Sequence, residues 1–288
     1  MFREVLLRGI EEHISYGQAF ASYQTGEDGV AVTLSNKEVA HGTILIGADG
    51  ARSAVRKQLS PDHPFIDTGG RIIYGKTHLT SEVAGLLHPS LTQRMAVVKD
   101  TQQSSAFSVI TEPIVFTNRA SVKSNRLQCP EDYLYWAVAA QHSVYGWDEY
   151  HVPHLLPDKA EQLAMEVSKD WYSSIRLMIE QQAHGQTSVM PIYSAIPGLG
   201  NWTTNPHVIL LGDAVHLISP AGAQGAVAAL RDAHTLCELL VEGYSDKTVS
   251  RYEDQMRQYA KQAVGFSCMV SSKIFDMKPV DECRAVNI

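Results

Sequence analysis

The sequence predicts an α/β (α+β) fold made of an incomplete parallel-sheet domain, an antiparallel-sheet domain and a long C-terminal helix. Two stretches carry most of this prediction: LIGADGARSAVRKQL at residues 45–59 and VILLGDAVHLISPAGAQGAVAALRDAHTLCELL at residues 208–240. Each runs from an apolar strand through an acidic turn into a segment with helical periodicity. An open α/β sheet presents a loop to a ligand in this way.

The middle of the chain predicts the antiparallel sheet. Short alternating segments such as 106–110 and 133–139 have the period of half-buried strands. Near residue 160, Asp158 and Glu161 form a plausible capping box for a helix. We therefore predict a discontinuous α/β domain at 1–64 and 198–246, an antiparallel-sheet domain at 65–197, and a C-terminal helix within 247–288.

Composition excludes several classes of partner. The formal net charge is −7 with no basic cluster, which argues against nucleic acid and anionic membranes. The four cysteines are far apart and form no C-x-x-C pair, so neither a zinc site nor a disulfide framework is expected. His151 and His154 have helical ligand spacing, but Pro153 between them argues against a helix, and we predict no metal site. No apolar run reaches the roughly 18 residues of a membrane span, and a cytoplasmic location is expected.

The two long motifs resemble the DG and GD motifs of single-component FAD-dependent monooxygenases, the aromatic hydroxylases and epoxidases, and most closely the members of fungal secondary metabolism. The likeness continues in RIIYGKTHLT, DYLYWAVAAQHS and RYEDQMRQYAKQAVGFS and covers nearly the whole chain. The resemblance implies a Rossmann-like FAD-binding domain and a sheet domain that covers the substrate.

The resemblance also implies site residues. In the family, the aspartate that matches Asp213 contacts the ribityl chain of the flavin, and the loop and helix start after it meet the pyrimidine edge of the ring. The matched positions, cofactor-binding if flavin is bound, are Asp213, Pro220, Gly222, Gly225, Ala226, Asp49 and Gly50. Relatives carry glycine where Ala223 stands and asparagine where Val227 stands.

The residues themselves leave alternatives open for both motifs. Asp213 can simply cap a turn. Asp49, with Arg52, Ser53 and Arg56, is equally consistent with an N-cap and a solvated helix face. His216, one turn from Asp213, is expected to be structural.

The sheet domain supplies the candidate catalytic residues. Alternation places Tyr74, Lys76 and His78 on one face of a strand. Tyr74, His78 and Trp136 offer both surface and N–H or O–H donors to a hydrophobic substrate, so we select these three as pocket candidates. The resemblance to the fungal members implies a small hydrophobic polyketide or terpenoid as the substrate, and the sequence does not indicate an oligomeric state.

The expected cofactor depends on a glycine motif. No G-x-G-x-x-G triple occurs, and the nearest candidate, Gly198-Leu199-Gly200, has Thr203 where the last glycine belongs. In the family this unit precedes the helix at which the chain opens and holds the ADP half of FAD, so the resemblance implies a truncated domain. We therefore expect no cofactor, with FAD and NADPH as the alternative.

Three functions follow from this expectation. The first is a non-oxidative cyclase or isomerase, for example a Diels–Alder pericyclase, which needs only a bound conformer close to the transition state and a placed donor. The second is an FAD- and NAD(P)H-dependent monooxygenase. The third is a non-catalytic remnant that binds a metabolite.

Overall fold

The computed structural model describes residues 2–99, 107–117, 119, 129–150 and 154–288. They form two compact units. The first unit comprises Met1–Ser15 and Gly70–Pro191, and the second unit comprises Tyr16–Gly69 and Ile192–Ile288. These units divide the chain after Ser15, Gly69 and Pro191, whereas the domains expected from the sequence divide it at 64/65, 197/198 and 246/247. Residue 106 of the predicted strand 106–110, and His151 and Pro153, lie outside the described residues.

The secondary structure follows the predicted mixture of helices and strands. The α-helices of the described residues are α1 (Phe2–Leu7), α2 (Ala54–Leu59), α3 (Ser81–Leu86), α4 (Pro89–Gln93), α5 (Pro157–Ser168), α6 (Ser173–Glu180), α7 (Asp213–His216), α8 (Gly225–Glu242) and α9 (Asp246–Ile274). The strands are β1 (Phe20–Thr25), β2 (Val30–Leu34), β3 (Val39–Gly42), β4 (Leu45–Gly47), β5 (Phe65–His78), β6 (Ala96–Lys99), β7 (Ser108–Ile114), β8 (Tyr133–Gln141), β9 (Ser188–Ala195), β10 (Val208–Leu210) and β11 (Arg284–Val286).

The first unit contains an antiparallel sheet in the order β5-β8-β7-β6. Residues 70–78 of β5 pair with β8 from Gly70↔Gln141 to His78↔Tyr133. One face of this sheet packs into a core that includes Ile73, Trp136 and, from α6, Met178. The opposite face is the more open one, as the burial of alternate residues along β5 shows.

The opening helix is more exposed than its pattern implies. The apolar residues Phe2, Val5, Leu6 and Ile10 share one side, and each is at least 45% exposed. Helix α1 contains no buried residue. Its apolar periodicity therefore does not correspond to burial within the described residues.

Helix α5 begins differently from the predicted capping box. Leu156 is the N-cap, without a side-chain cap, and Pro157 occupies the first helical turn. Proline fits there because its fixed φ suits the helix and its missing N–H is not needed. The carboxylate of Glu161 instead accepts hydrogen bonds from His184 Nδ1 at 3.0 Å and from the amide of Gly185 at 2.6 Å.

The second unit holds both long motifs. Strands β4 and β10 pair in parallel, with Leu45 opposite Val208 and Gly47 opposite Leu210. Strands β1, β2 and β3 form a separate antiparallel sheet, and β11 pairs with Phe65–Asp67. Helix α9 is tied to β10 because the Tyr252 hydroxyl donates to Leu210 O at 3.0 Å. The predicted start of this helix, near Lys247, agrees with its observed start at Asp246.

Among the described residues, no helix is both long and apolar enough to cross a bilayer.

Candidate functional site

The turn after β10 places Asp213 at the end of the parallel pair. Gly212 has φ 63° and ψ −144°, a conformation that is essentially reserved for glycine. A Cβ on Gly212 would lie 3.2 Å from Ala229 Cβ in α8. The turn therefore requires glycine both for its backbone angles and for its packing against α8.

The Asp213 carboxylate faces the start of α8. A Cβ built on Gly225, the first residue of α8, would have Asp213 Oδ1 as its nearest neighbour at 3.9 Å. Asp213 is exposed, and within the described ranges its side chain has no hydrogen-bond partner. Partial desolvation raises the pKa of Asp213, and the nearby His216 opposes this rise. Asp213 is thus an acceptor available to a ligand.

The first amides of α8 are also available. The helix has 18 residues, and its N-cap Gln224 provides no side-chain cap. The first regular backbone bond runs from Ala228 N to Gln224 O, so the amides of Gly225, Ala226 and Val227 have no acceptor in the described part of the chain. Such amides, together with the helix dipole, favour a ligand oxygen that carries negative charge.

A buried network lies beneath this turn. Asp232 of α8, fully buried, accepts hydrogen bonds from the Gly212 amide and from His216 Nε2, each at 2.6 Å, and from the Tyr259 hydroxyl of α9. His216 is also fully buried, and its Nδ1 atom has no partner among the described residues. In this geometry His216 supports the turn through Asp232.

Asp232 lies within the 208–240 motif, but no role for it follows from the residue type alone. The available signal was its position in the buried stripe Ala228, Asp232, Leu236 and Leu239 of α8. A carboxylate in such a stripe must be paired or hydrogen-bonded.

The loop before α8 is shaped by packing against α9. Pro220–Gly222 forms a short 3-10 turn, and a Cβ on Gly222 would lie 3.3 Å from Phe266 Cδ1 and from Ser267 Cα. Ala223 follows in the left-handed conformation with φ 51°. The close packing against Phe266 and Ser267 explains the glycine at position 222 without any ligand. The left-handed backbone explains why glycine suits position 223 in relatives.

The other motif uses its aspartate to start a helix. Asp49 accepts hydrogen bonds from Ser53 Oγ at 2.5 Å and from the Ala54 amide at 2.8 Å, while Ser53 caps α2 by accepting from the Arg56 amide at 2.9 Å. Gly50 has φ 78°, which suits glycine. The geometry thus gives Asp49 the helix-capping role that the residues had left open.

Arg56 does not lie on a solvated face, which corrects the alternative considered for this helix. It is 2% exposed, and Nη1 donates to Ala51 O at 2.8 Å and to Ala214 O at 3.1 Å. Its guanidinium stacks over Phe65 at 4.4 Å, and burial lowers the pKa of Arg56. Arg56 therefore links α2 to the segment that follows Asp213, a contact that no local pattern indicates.

The first unit brings two of the three pocket candidates together. Tyr74 is half-buried and His78 is exposed, both on the open face of the sheet, with Lys76 between them. Lys76 Nζ lies 5.2 Å from the centre of the Tyr133 ring, and His78 Nδ1 lies 3.4 Å from Glu131 Oε2. Burial, together with Tyr74 and Glu112, raises the pKa of Tyr135 on the same face. The face combines aromatic surface with polar groups.

Trp136 lies on the opposite face. It is fully buried, and its Nε1 donates to Thr77 Oγ1 at 3.1 Å. A Cβ on Gly75 would lie 2.5 Å from Trp136 Cζ2, so the indole fills the space that this glycine leaves. The selection of Trp136 as a pocket residue therefore does not fit the structure, because alternation along β8 turns its side chain into the core.

No cluster of three or more His, Cys, Asp or Glu side chains suited to a metal ion occurs in the described ranges.

Comparison with known proteins gives consistent matches. A family model described as an FAD binding domain matches residues 198–267. The chain is 32% identical over 98% of its length to the dual O-methyltransferase/FAD-dependent monooxygenase CTB3 of Cercospora beticola, and covers 34% of that protein. It is 34% identical over 91% of its length to the dual O-methyltransferase/FAD-dependent monooxygenase elcB of Phaeosphaeria nodorum, and covers 30% of it. The chain thus spans about a third of the length of these two relatives.

Solved structures show the same fold. A Photorhabdus luminescens protein assigned as an FAD-containing monooxygenase superposes with a TM-score of 0.77 at 25% identity, over 94% of this chain and 72% of that one. HpxO of Klebsiella pneumoniae, complexed with FAD and uric acid, gives a TM-score of 0.70 at 18% identity, over 94% of this chain and 61% of that one. The resemblance to the FAD-dependent monooxygenases is therefore confirmed in sequence and in fold.

These matches overturn the expectation of no cofactor. The match to an FAD binding domain covers the loop 220–225 and helix α8, so this finding points to FAD binding. The expectation failed because it rested on the missing glycine triple, which in the family serves the ADP half of FAD. The residues around Asp213 are suited to the other half, since the carboxylate and the three amides are all available.

Proposed function

We propose that this chain forms the flavin-ring side and the substrate sheet of an FAD-dependent monooxygenase that uses NAD(P)H and acts on a hydrophobic natural product. The observation that carries the proposal is the available Asp213 carboxylate beside the uncapped start of α8. A polyol chain and a ring edge with oxygen and nitrogen acceptors match this pair of features.

Each group at this site has a defined task. FAD, when bound, would supply the oxygen-activating chemistry. Asp213 would accept hydrogen bonds from the ribityl hydroxyls. The amides of Gly225, Ala226 and Val227 would donate to the pyrimidine edge of the ring and would favour negative charge there. Arg56 and Asp232 hold the surrounding backbone.

The open sheet face of the first unit supports a planar, partly apolar substrate. Tyr74, Tyr133 and Tyr135 supply aromatic surface that pairs with rings at low entropic cost. Lys76 has a ring contact but no carboxylate partner within the described ranges. The face therefore suits a phenolic or otherwise acidic polycyclic compound, and the polyketide class is the proposed substrate class.

The non-oxidative cyclase hypothesis loses its main support, because it depended on the absence of flavin. An isomerisation that accompanies oxidation keeps one line of support. The chain is 24% identical, over 96% of its length, to the aurachin C monooxygenase/isomerase of Stigmatella aurantiaca. We therefore keep rearrangement only as a step coupled to oxygenation.

The test is a flavin titration of the full chain. Quenching of flavin fluorescence is measured with FAD for the unmodified protein, for Asp213→Asn and for Asp281→Asn, an exposed carboxylate in a separate turn of the second unit. We expect saturable quenching, weakened about tenfold by Asp213→Asn, which is the effect of losing one charge-assisted hydrogen bond. Equal affinity in all three proteins would contradict the assignment of Asp213.

A further inference from the structure

The buried carboxylate of Asp232 collects donors from three separate elements of the second unit. The Gly212 amide belongs to the turn after β10, His216 ends α7, and Tyr259 lies in α9. Asp232 itself lies in α8. A fully buried carboxylate is strongly unfavourable unless such donors satisfy it, so the three elements are held in one arrangement.

The three hydrogen bonds require a side chain at position 232 that only accepts, as a carboxylate does. A carboxylate can only accept, so His216 Nε2, 2.6 Å from Asp232, carries a proton that points at it, while Nδ1 is buried without a partner among the described residues. All three neighbours of the carboxylate then act as donors. An asparagine amide at position 232 would turn an N–H group toward at least one of these three donors. No acceptor among the described residues lies at His216 Nδ1 to favour moving the proton from Nε2 to Nδ1.

The bond to Gly212 has a direct consequence for Asp213. Gly212 holds backbone angles that glycine alone readily adopts, and its amide is fixed by Asp232. Asp213 is the next residue, and its own side chain has no described hydrogen bond that could orient it. The turn before Asp213 therefore sets the direction of its Cα–Cβ bond, and with it the region that the carboxylate reaches.

We propose that Asp232 is a positioning residue that, through the Gly212 amide, aims the Asp213 carboxylate at the polyol chain of a bound flavin. This inference rests on the proposed function, because it takes Asp213 as the group that meets the polyol. Asp232 touches no ligand. Its effect reaches the ligand only through Asp213.

Titration with two different flavins distinguishes positioning of Asp213 by Asp232 from a general contribution of Asp232 to the stability of the fold. Riboflavin carries the ribityl polyol, whereas lumiflavin has the same ring with a methyl group in its place. Both are titrated by fluorescence quenching against the full chain, Asp213→Asn, Asp232→Asn and the double variant, and the unfolding temperature of each protein is recorded. Tyr259→Phe, which removes one donor and keeps the carboxylate, serves if Asp232→Asn does not fold.

We expect Asp213→Asn and Asp232→Asn each to weaken riboflavin binding about tenfold while lumiflavin binding stays within twofold. The double variant is expected to bind riboflavin no more weakly than Asp213→Asn, because both changes remove the same contact. For Tyr259→Phe, the loss is expected to be smaller but again confined to riboflavin.

Other results overturn the inference. If Asp232→Asn weakens both flavins equally, or if the two single effects add in the double variant, Asp232 only supports the fold. If Asp213→Asn weakens riboflavin but Asp232→Asn and Tyr259→Phe do not, positioning is wrong and the proposed function stands. If the unmodified chain binds neither flavin, the proposed function and the inference fall together.

Discussion

His63 is a buried titratable residue whose ionisation is linked to folding. Its ring is 6% exposed, it packs edge-on against Phe65 and Trp202, and its Nε2 lies 2.7 Å from Val215 O. Burial, opposed by that backbone contact and aided by Arg56, lowers the pKa of His63 from 6.5 to about 4. The folded state therefore holds His63 neutral where the unfolded state begins to bind a proton.

This linkage predicts a loss of stability on mild acidification. With the pKa lowered by folding, the contribution of His63 is complete above pH 6.5 and is lost as the pH falls toward 4, by about 3 kcal/mol in all. His63→Gln keeps a donor for Val215 O and removes the titration. The free energy of unfolding, measured by urea titration at several pH values, should change less with pH between 6.5 and 4 for His63→Gln than for the unmodified protein. The same pH dependence in both proteins would contradict the assignment.

The loop before α8 predicts opposite effects at neighbouring positions. Gly222→Ala should lower the free energy of unfolding by about 1–3 kcal/mol, since its Cβ would crowd Phe266 and Ser267 of α9. Ala223→Gly should raise it by about 0.5–1 kcal/mol, because glycine removes the left-handed strain at this position. The urea midpoints of Gly222→Ala and Ala223→Gly measure these two effects, provided that the dependence of the unfolding free energy on urea concentration is unchanged. Gly225→Ala, where only Asp213 Oδ1 is near, is the control and should change little.

Residue types in motifs were easier to predict than their contacts. Asp213 lies at the end of a buried strand, as its local pattern indicated. A solvated helix face was one of the two interpretations left open for Arg56, because helical spacing alone cannot reveal its contacts with Phe65, outside the helix, and with Ala214, far along the chain. Long-range partners of this kind decide burial, and a single sequence does not contain them.

At the scale of elements, the two faces of the sheet in the first unit predict different mutational effects. Trp136→Leu should destabilise the protein by about 3 kcal/mol, because it leaves a cavity beside Gly75 and removes the hydrogen bond to Thr77. Tyr74→Leu, on the open face, should cost less than about 1 kcal/mol. Thermal unfolding of both variants tests this contrast, and a larger loss for Tyr74→Leu would show that the faces are wrongly assigned.

Period-two alternation predicted strand β8 well, and it correctly put Tyr74, Lys76 and His78 on one face of β5. It did not predict which face is covered. That choice depends on α6 and on the small residue Gly75, whose missing side chain admits the indole of Trp136. Helix α5 shows a similar limit, since Pro157 determined its start where a capping box was expected.

At the scale of the whole molecule, exposed apolar side chains and net charge act in opposite directions on association. Helix α8 exposes Val227, Leu230 and Val241, the last at 89%, although its buried stripe lies elsewhere. A net charge of −7 keeps copies apart at low salt. We expect light scattering by concentrated protein to rise with ionic strength, and Val241→Glu to reduce this rise with an unchanged unfolding temperature. Scattering that falls as salt increases would contradict this expectation.

The overall fold could be predicted because the motifs at 45–59 and 208–240 each contain one strand of the parallel pair, and the alternating middle of the chain indicates the antiparallel sheet. The cofactor could not be predicted by the same route. The absent glycine motif bears only on how the ADP half of FAD would be held, whereas the groups beside α8 bear on the flavin half. Weighing the residues present, above all Asp213, would have given the better expectation.

The carboxylate of Asp232 also has a consequence for motion. The Gly212 amide can exchange its hydrogen with solvent only when its bond to this buried acceptor opens, and that requires α7, α8 and α9 to separate. We therefore expect this amide to be among the slowest to exchange deuterium in the second unit, while the amides of Gly225, Ala226 and Val227 exchange quickly. A ligand would then meet a site whose Gly212–Asp213 backbone is already fixed before binding. The amides of Gly225, Ala226 and Val227, on the other side of the site, would become protected from exchange only when the ligand contacts them.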